Sequence, residues 1–390
     1  DTKTCFSASA KEAIAARKTW LTDDVSALCN FSEIDCIIEA TGHPLFGVRH
    51  ALQAIESGKH VIMVNVEADI LCGPYIAKKA SERGVIYSMA YGDQPAAICE
   101  LVDWVHSNGF ELVAAGKGMN FQPEYRYSTP DTVWGYFGWS EAEVAAGDFN
   151  PKMYNSFTDG TKAAIEMAAV ANATGLDCPD TGLAFHPAGL HDLASVFRPA
   201  SEGGRLAKSG LVEIAASQEP DGREVINNIR FGMFVTFKAP NAYTRNCFQQ
   251  YGLLTDPSGW YGSMWRPFHM IGLETNTSVL SAVLRHEPTG CSRYWRGDAV
   301  ATAKRDLKAG EMLDGEGGYC VLHLQNWKFL LLMPQWSQYY WKAVRLQMLP
   351  WMHCSTFLPL ASPLMLRYLK TLVMNQKEMS HFPLCLGPHF

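Results

Sequence analysis

Short apolar runs alternate with helical stretches along the first hundred residues. The apolar runs are rich in Val, Ile and Met and have no polar face, which is typical of strands buried in a parallel sheet. Gly58 and Gly84 directly follow the helical stretches, and glycine commonly ends a helix at this position. The pattern predicts strands at 34–40, 60–64 and 85–89 and helices at 46–57 and 74–83.

The order of these elements predicts an α/β fold with a Rossmann-like, doubly wound parallel sheet. Ligands of such sheets bind at the carboxyl ends of the strands. In this chain the carboxyl ends are residues 41–43, 65–67 and 90–93. We therefore expect a binding site where these three loops meet.

The region after the predicted sheet is richer in aromatic residues and mixes the two element types. Its pattern predicts an α+β substrate or dimerisation domain, followed from about residue 300 by the start of a small β-rich module. Helices are expected at 98–108, 159–173 and 271–284, and strands at 112–115, 211–215 and 231–237.

The last 65 residues, 326–390, differ in character from the rest of the chain. They contain one acidic residue, Glu378, and one glycine, Gly387, beside six Lys or Arg and many Trp, Met, Leu and Pro. Two interpretations stay open: a tail that binds a membrane or a partner, and sequence unrelated to the fold, such as out-of-frame translation. The lack of a continuous apolar helix face favours the second.

The bulk composition is that of a globular protein acting on a small molecule. With 390 residues, 47% of them hydrophobic and 18% charged, the chain is long enough for two domains. Its net charge of -6 argues against a nucleic-acid partner, which would require a basic face. No apolar run is long enough to span a bilayer. The eleven cysteines lack C-x-x-C spacing and are expected to be reduced, so we predict a cytoplasmic location.

Several longer motifs resemble a known enzyme family. Residues 38–42, 58–61 and Asn65 resemble the cofactor domain of homoserine dehydrogenases. A closer resemblance, to the 1-deoxy-D-xylulose 5-phosphate reductoisomerase-like group related to them, is carried by residues 64–69, 91–96, 114–118, 128–134 and 155–162. Residues 299–318 resemble the SAF module that follows in this group. The resemblance covers about residues 12–321 and implies an NAD(P)-dependent oxidoreductase.

The resemblance also implies a division into domains, and this chain departs from the family pattern in one respect. Members of the family begin with a strand and a G-x-G-x-x-G turn that binds pyrophosphate at a helix N-terminus. We find no such turn in the N-terminal part, so we expect a sheet that is truncated at its N-terminal side. The expected parts are a partial dinucleotide-binding domain at 1–105 completed by about 266–288, a substrate or dimerisation domain at 106–265, the start of an SAF-like module at 289–325 and the atypical tail at 326–390.

Three residues are candidates for the chemistry of hydride transfer, which needs a group that gives or takes the proton on oxygen. Asp159 and Lys162 stand three residues apart at a predicted helix start, and an Asp and a Lys begin the matching helix in homoserine dehydrogenases. Helix capping by Asp159 and solvation of Lys162 is the alternative. Lys117 lies between two glycines that would let a phosphate or carboxylate approach, or it is an exposed lysine in a turn.

The predicted cofactor contacts lie at the strand ends. Thr41, Gly42 and His43 follow the first strand, and Asn65 and Glu67 follow the second. Homoserine dehydrogenases carry a catalytic lysine near the position of Glu67, so its role does not transfer and a substrate other than homoserine is indicated. NADP and NAD are both open.

The remaining candidates concern the substrate and a metal ion. We expect Asp93, Asn120, Asn155 and Arg266 to contact substrate, although Arg266 is equally an ordinary ion-pair residue. A reductoisomerase normally uses Mg or Mn to hold vicinal oxygens. The candidate carboxylates are Asp93, Glu124 and Asp159, but their spacing identifies no metal site.

Three functions follow as hypotheses. The resemblance favours reductoisomerisation of 1-deoxy-D-xylulose 5-phosphate in isoprenoid precursor synthesis. The second hypothesis is an NAD(P)-dependent dehydrogenase of a small hydroxy acid, sugar acid or homoserine-like substrate. The third is an inactive truncated remnant or a binding protein. A homodimer is the expected assembly.

Overall fold

The computed structural model describes residues 6–7, 9–147, 149–308 and 310–325. The tail at 326–390 lies outside the described residues. The first ten elements are β1 (Phe6–Ser7), α1 (Ala10–Ala16), β2 (Thr19–Trp20), α2 (Val25–Asn30), β3 (Cys36–Glu39), α3 (Pro44–Glu56), β4 (His60–Met63), α4 (Val66–Arg83), β5 (Tyr87–Met89) and α5 (Gln94–Ser107).

Strands β3, β4 and β5 form a parallel sheet in that order, with α3 and α4 as the connections between them. The prediction of an α/β fold built on a parallel sheet is confirmed. The apolar runs become strands because the side chains of Val61, Ile62 and Met63 are almost completely buried on both faces. The loops after the three strands therefore lie at one edge of this sheet.

Helix α4 is longer than the predicted helix at 74–83. It begins at Val66 because Asn65 caps it, with Asn65 Oδ1 accepting a hydrogen bond from Ala68 N at 3.1 Å. Pro74 lies inside the helix and has no N–H to donate to the carbonyl of Ile70. The prediction placed the start at this proline and was wrong by two turns. The correction puts Glu67 in the first turn of a helix.

The second part of the chain is a mixed six-stranded sheet with helices. The elements are β6 (Glu111–Met119), α6 (Val133–Phe137), α7 (Glu141–Ala146), α8 (Pro151–Thr158), α9 (Thr161–Thr174), β7 (His186–Pro187), α10 (Leu193–Val196), β8 (Leu211–Ala216), β9 (Met233–Lys238), α11 (Ala242–Gln250), β10 (Leu254–Thr255) and β11 (Tyr261–Arg266). The strand order is β10-β11-β9-β6-β8-β7, and β6 pairs parallel to β8 and antiparallel to β9. Two short 3-10 helices add Pro123–Tyr127 and Ala200–Glu202.

The main hydrophobic core lies between this sheet and helices α5 and α9. Ile98 and Val102 of α5 pack with Met167 and Val170 of α9 against Val235 of the central strand β9. The alanine-rich sequence of α9 allows both α5 and α4 to approach it closely. Helix α9 therefore contacts both α4, which packs on the parallel sheet, and α5. Its first turn lies near the edge of the parallel sheet.

The last described elements return to the first sheet. Helix α12 (Asn276–Leu280) continues into a π-helical turn (Ser281–Arg285), and Ala282 packs against Ile62 on the sheet face. Strands β12 (Ala299–Ala303) and β13 (Val321–Gln325) then form an antiparallel pair. Within the described residues, we find no helix with the length and apolar character needed to cross a bilayer.

Candidate active site

Two acidic residues mark the carboxyl edge of the parallel sheet. Asp93 follows β5 and is the N-cap of α5, with Oδ1 accepting from Gln94 N at 2.8 Å. Its other oxygen, Oδ2, is buried and has no hydrogen-bond partner among the described residues. Glu67 follows β4 in the first turn of α4. A buried carboxylate oxygen without a partner is costly, and such atoms are common where a ligand binds.

Two lysines, one on the second sheet and one on α9, form ion pairs with acidic residues here. Lys162 Nζ donates to Glu67 Oε1 at 2.6 Å. Lys117, on β6, donates to Glu166 of α9 and to Gln94 Oε1, the latter at 2.6 Å. The cluster is therefore built from four different elements, with Lys162 and Glu166 one helical turn apart on α9.

Burial and charge set the protonation of this cluster. Burial alone would lower the pKa of Lys162, but the negative charges of Glu67, Glu166, Asp93 and Glu316 raise it above its ordinary range. Burial, and then the charge of Glu166, raise the pKa of Asp93 to about 7. Near neutral pH the lysine remains an ammonium ion, while the carboxyl of Asp93 exchanges its proton.

Glu316 joins the cluster from the loop between β12 and β13. Burial and the negative charge of Glu67 raise the pKa of Glu316 to about 7. The loop is held by Asn155, whose Nδ2 donates to Gly317 O at 2.9 Å. A Cβ on Gly317 would come within 1.9 Å of Lys152 O, so only glycine fits here. The segment expected to begin a separate module thus supplies a residue to the site.

The side chain of Asn155 forms hydrogen bonds to other residues of the protein. Its Oδ1 accepts from Ser128 Oγ at 2.6 Å, and its Nδ2 also contacts Ser128 O at 3.2 Å. It is fully buried. Asn155 therefore holds the loop that carries Glu316. Its contact with substrate, predicted from the sequence, stays a prediction.

Asp159 and Lys162 do not share one helical turn. Gly160 lies between them with a φ of 88°, which ends α8 before α9 begins. Asp159 Oδ2 forms a buried ion pair with Lys304 Nζ at 2.7 Å, and Oδ1 accepts from Thr161 N at 2.9 Å. The expectation that both residues face the same side of one helix start is wrong, because α9 begins only after this glycine, at Thr161, and Asp159 is the C-cap of α8.

The glycines that flank Lys117 serve strand packing. A Cβ on Gly116 would lie 1.8 Å from Glu213 O, and a Cβ on Gly118 would lie 1.8 Å from Ile229 O. They allow neighbouring backbone to approach β6 closely. Ligand approach, the reason given from sequence for these glycines, is therefore not needed to explain them. Lys117 itself is buried, which excludes the exposed turn lysine.

The five predicted cofactor contacts lie together at the ends of β3 and β4. Thr41 Oγ1 donates to the buried Glu39 Oε1 at 2.7 Å. Asn65 Nδ2 donates to His43 O at 3.0 Å, which ties the two loops together. Gly42 lies between them with a φ of 68° and is exposed. With Glu67 one turn further on, these residues border the charged cluster.

This edge fits one end of a nicotinamide dinucleotide. Helix α3 has His43 as its N-cap without a side-chain hydrogen bond, so N–H groups of its first turn are free for an acidic ligand. Glu39 Oε2 is buried and has no partner among the described residues. Since the described residues contain no G-x-G-x-x-G turn, they identify no cradle for the pyrophosphate.

Two further substrate candidates, Arg266 and Asn120, contact residues outside the charged cluster. Arg266 forms an ion pair with Glu274 and stacks over Tyr91, with 5.1 Å between the guanidinium and the ring centre. This supports the ion-pair interpretation of Arg266. Asn120 Oδ1 accepts from Ser217 Oγ at 3.5 Å at the end of β6.

The candidate metal ligands are separated. Asp93 belongs to the charged cluster, Asp159 pairs with Lys304, and Glu124 is exposed in a 3-10 helix. In the part of the chain that the structure describes, no three His, Cys, Asp or Glu side chains are grouped to hold a metal ion.

Sequence inspection missed Gln94, Glu166, Lys304 and Glu316. Glu166 offered a signal, because an acidic residue inside an alanine-rich, buried run of helix needs a partner. Lys304 and Glu316 offered none, since their partners are far away in the chain.

Residues 92–275 match a protein-family model described as the catalytic domain of the oxidoreductase DRL. This range contains Asp93, Lys117, Lys162 and Glu166 of the charged cluster. No curated protein matches the chain. The resemblances to homoserine dehydrogenases, to the 1-deoxy-D-xylulose 5-phosphate reductoisomerase-like group and to the SAF module are not supported by these comparisons.

Solved structures that match parts of this chain include proteins described as a dehydrogenase and a reductase. The "probable dehydrogenase" of Thermotoga maritima is 12% identical over 71% of this chain and 78% of its own, with a TM-score of 0.30. Biliverdin reductase of Synechocystis sp. PCC 6803, solved with biliverdin and NADP+, is 19% identical over 30% of this chain and 39% of its own, with a TM-score of 0.20. The chain thus spans well under half of the reductase. Similarity this low carries no information about substrate or cofactor.

Proposed function

We propose that this protein is an NAD(P)-dependent oxidoreductase that interconverts a carbonyl and an alcohol on a small polar substrate. The observation that carries the proposal is the cluster of buried and half-buried charges formed by Lys162, Lys117, Asp93, Glu67 and Glu166 at the carboxyl edge of a parallel sheet. Pairs of ionisable groups whose surroundings separate their protonation are typical of acid–base sites.

Each residue of the cluster would have its own role in the reaction. When bound, the nicotinamide would supply or accept the hydride, and Thr41, His43 and Asn65 would hold its end. The ammonium of Lys162 would stabilise negative charge on the substrate oxygen. The carboxyl of Asp93 would give that oxygen a proton during reduction and take it during oxidation. Lys117, fixed by Glu166, would orient the substrate.

Calorimetric titration of the full chain with NADPH and NADH is the first test. Micromolar binding of either supports the proposal. A folded chain, shown by a cooperative thermal transition, that binds neither would contradict it and would favour an inactive or binding protein.

The substrate is a finer proposal. We propose 1-deoxy-D-xylulose 5-phosphate, converted with Mg or Mn present, on the strength of the sequence resemblance. Cofactor oxidation with this ketose would support it. Turnover of unphosphorylated hydroxy acids or sugar acids without added metal would replace it with the dehydrogenase alternative.

A lysine substitution tests the site within the same assay. We expect Lys162→Met to lower kcat/KM by roughly a hundredfold or more, because a preorganised charge next to a reacting oxygen is worth this much. Lys208→Met, which removes an exposed partner of Asp177, is the matched control and should leave activity unchanged. Equal activity of both variants would remove Lys162 from the mechanism.

A homodimer of the chain, acting on a small molecule in the cytoplasm, completes the proposal. Light scattering behind size exclusion would measure the mass of the assembly, and a monomer that retains full activity would contradict the dimer.

A further inference from the structure

A cavity lies beside the first turn of α9. It is enclosed by Gly160 and Ala164 at the start of this helix, by the loop at 181–185 and by strand β13. Its volume is about 40 Å³. Since one water molecule needs roughly 10–15 Å³ of such space, the cavity holds about three or four water molecules, which together take up about as much room as a small organic acid.

Buried polar atoms without partners line this cavity. Gln325 is 1% exposed, and neither its Oε1 nor its Nε2 has a hydrogen-bond partner within the described residues. The same holds for Nδ1 of His323, two residues earlier on β13. Each such atom destabilises the folded protein when nothing satisfies it. All three atoms belong to residues that line one cavity, which indicates that an occupant with donors and acceptors satisfies them.

The charge around the cavity favours an anion. Arg126 lines it, with its guanidinium 5.4 Å from the ring centre of Phe121, and no described carboxylate forms an ion pair with it. The acid of the cavity, Asp159, is already paired with Lys304 at 2.7 Å. Burial lowers the pKa of His323 to about 4, so its ring is neutral at pH 7. One positive charge is left over, and the adjacent helix start adds a positive dipole end.

The loop on the far side of the cavity is held in a strained shape. Phe185 has a φ of 54°, which is unusual for an aromatic residue. The buried carboxylate of Glu213 keeps it there by accepting hydrogen bonds from Ala184 N at 3.0 Å and Phe185 N at 3.4 Å. Strain of this kind persists where surrounding structure enforces it, and it is common at ligand sites.

We propose that this cavity binds the carboxylate of a small organic acid. Arg126 and Gln325 Nε2 donate to the carboxylate oxygens, and His323 does so in its Nδ1–H tautomer. Gln325 Oε1 is left to accept from a hydroxyl on the adjacent carbon, so a 2-hydroxy acid satisfies every unpartnered atom. The acid is either a separate effector or the carboxylate end of a substrate.

Calorimetry on the full chain without cofactor tests the proposal, with sodium glycolate and sodium acetate as ligands and sodium chloride as the reference. We expect both acids to bind, glycolate more tightly. Arg126→Gln and Gln325→Leu should each weaken glycolate binding by roughly tenfold or more, because a charged or buried hydrogen bond is lost. Arg223→Gln, at an exposed turn, is the matched control and should bind like the wild type.

The outcomes separate the proposal from its alternatives. A folded wild type that binds neither acid at tens of millimolar, or an Arg126→Gln variant that binds as tightly as the wild type, overturns it and leaves the cavity to water. Arg126→Lys keeps the charge and should retain part of the binding. If this variant also fails while its thermal transition is unchanged, planar donor geometry is needed.

Kinetic measurements with glycolate distinguish an effector from the carboxylate end of a substrate. Glycolate that competes with a hydroxy acid turned over under the dehydrogenase alternative places that substrate's carboxylate in the cavity, whereas glycolate that changes the rate without competition is an effector. Because binding is measured without cofactor, failure of the proposed oxidoreductase function would leave this result intact.

Discussion

At the scale of single residues, burial and neighbouring charge act on Lys162 and Asp93 in different ways. Burial disfavours the charged form of both groups. Four surrounding acids override this effect for Lys162, whose pKa is raised. For Asp93, burial and the charge of Glu166 both disfavour the ionised carboxylate, so its pKa rises to about 7. One residue therefore keeps its proton near neutral pH and the other exchanges it.

The rate of the proposed reaction should follow the protonation of Asp93. Carbonyl reduction needs the protonated carboxyl and should slow as pH rises through about 7, while alcohol oxidation should speed up over the same range. Asp93→Asn should lose this inflection in kcat/KM measured in both directions. Asp221→Asn, at an exposed position, is the control. An unchanged inflection in Asp93→Asn would assign the titration to another group.

Glu213 should make the stability of the protein depend on pH. Burial raises the pKa of Glu213 from 4.5 to about 7 in the folded protein. Between these values the folded state holds a proton that the unfolded chain has released, so the free energy of unfolding falls as pH rises. Glu213→Gln should remove up to about 3 kcal/mol of this fall between pH 4.5 and pH 8.

Urea unfolding of the wild type and the Glu213→Gln variant at both pH values measures this difference. Exposed Glu56→Gln should keep the wild-type dependence. A Glu213→Gln variant with the same pH dependence as the wild type would show that Glu213 is ionised in the folded protein.

At the scale of elements, the contact between α3 and α4 fixes the loops that carry the cofactor candidates. Gly47 of α3 faces the start of α4, where a Cβ would lie 2.7 Å from both Ala68 Cβ and Asn65 Nδ2. Asn65 in turn caps α4 and holds the carbonyl of His43. The close approach of the two helices therefore orders both loops.

Gly47→Ala should destabilise the protein by about 1–3 kcal/mol, because the helices must move apart. Gly135→Ala is a matched control in helix α6, where a Cβ would meet nothing within 4 Å. It should stabilise by about 0.5–1 kcal/mol, since alanine favours helix more than glycine does. Denaturant titrations compare the two. A neutral Gly47→Ala would mean that α3 and α4 are less closely packed than described.

At the scale of the whole described structure, the segment at 299–325 is part of the site. Lys304 Nζ pairs with Asp159 and donates to Ser128 O at 2.7 Å and Gly318 O at 2.9 Å. His323 N donates to Thr161 Oγ1 at 2.9 Å at the first turn of α9. These contacts join β12 and β13 to α8 and α9, and the same junction carries Glu316 to the charged cluster.

Lys304→Met should cost about 3–5 kcal/mol of unfolding free energy, because it leaves the carboxylate of Asp159 buried without a cation. Lys208→Met breaks an exposed pair and should change stability by less than about 1 kcal/mol. Equal melting temperatures of the two variants would contradict the buried pair.

The sequence by itself determined the local elements and the edge at which the site lies. Buried strands such as β4 and helix ends such as Gly84 follow from patterns within a few residues, so the order of strands and helices was predictable. The rule that parallel strands present their carboxyl ends together then brought Asn65, Glu67 and Asp93 to one place. The fold class and this edge needed no knowledge of long-range contacts.

Only the tertiary structure decided which charges meet. Lys162 pairs with Glu67 across 95 residues, and Lys117 pairs with Glu166 across 49. Asp159, which sequence placed beside Lys162, was assigned instead to Lys304, because one glycine turns the chain between two helices. The physical reason is that an ion pair depends on distance in space and on shared burial, neither of which leaves a periodic pattern in the chain.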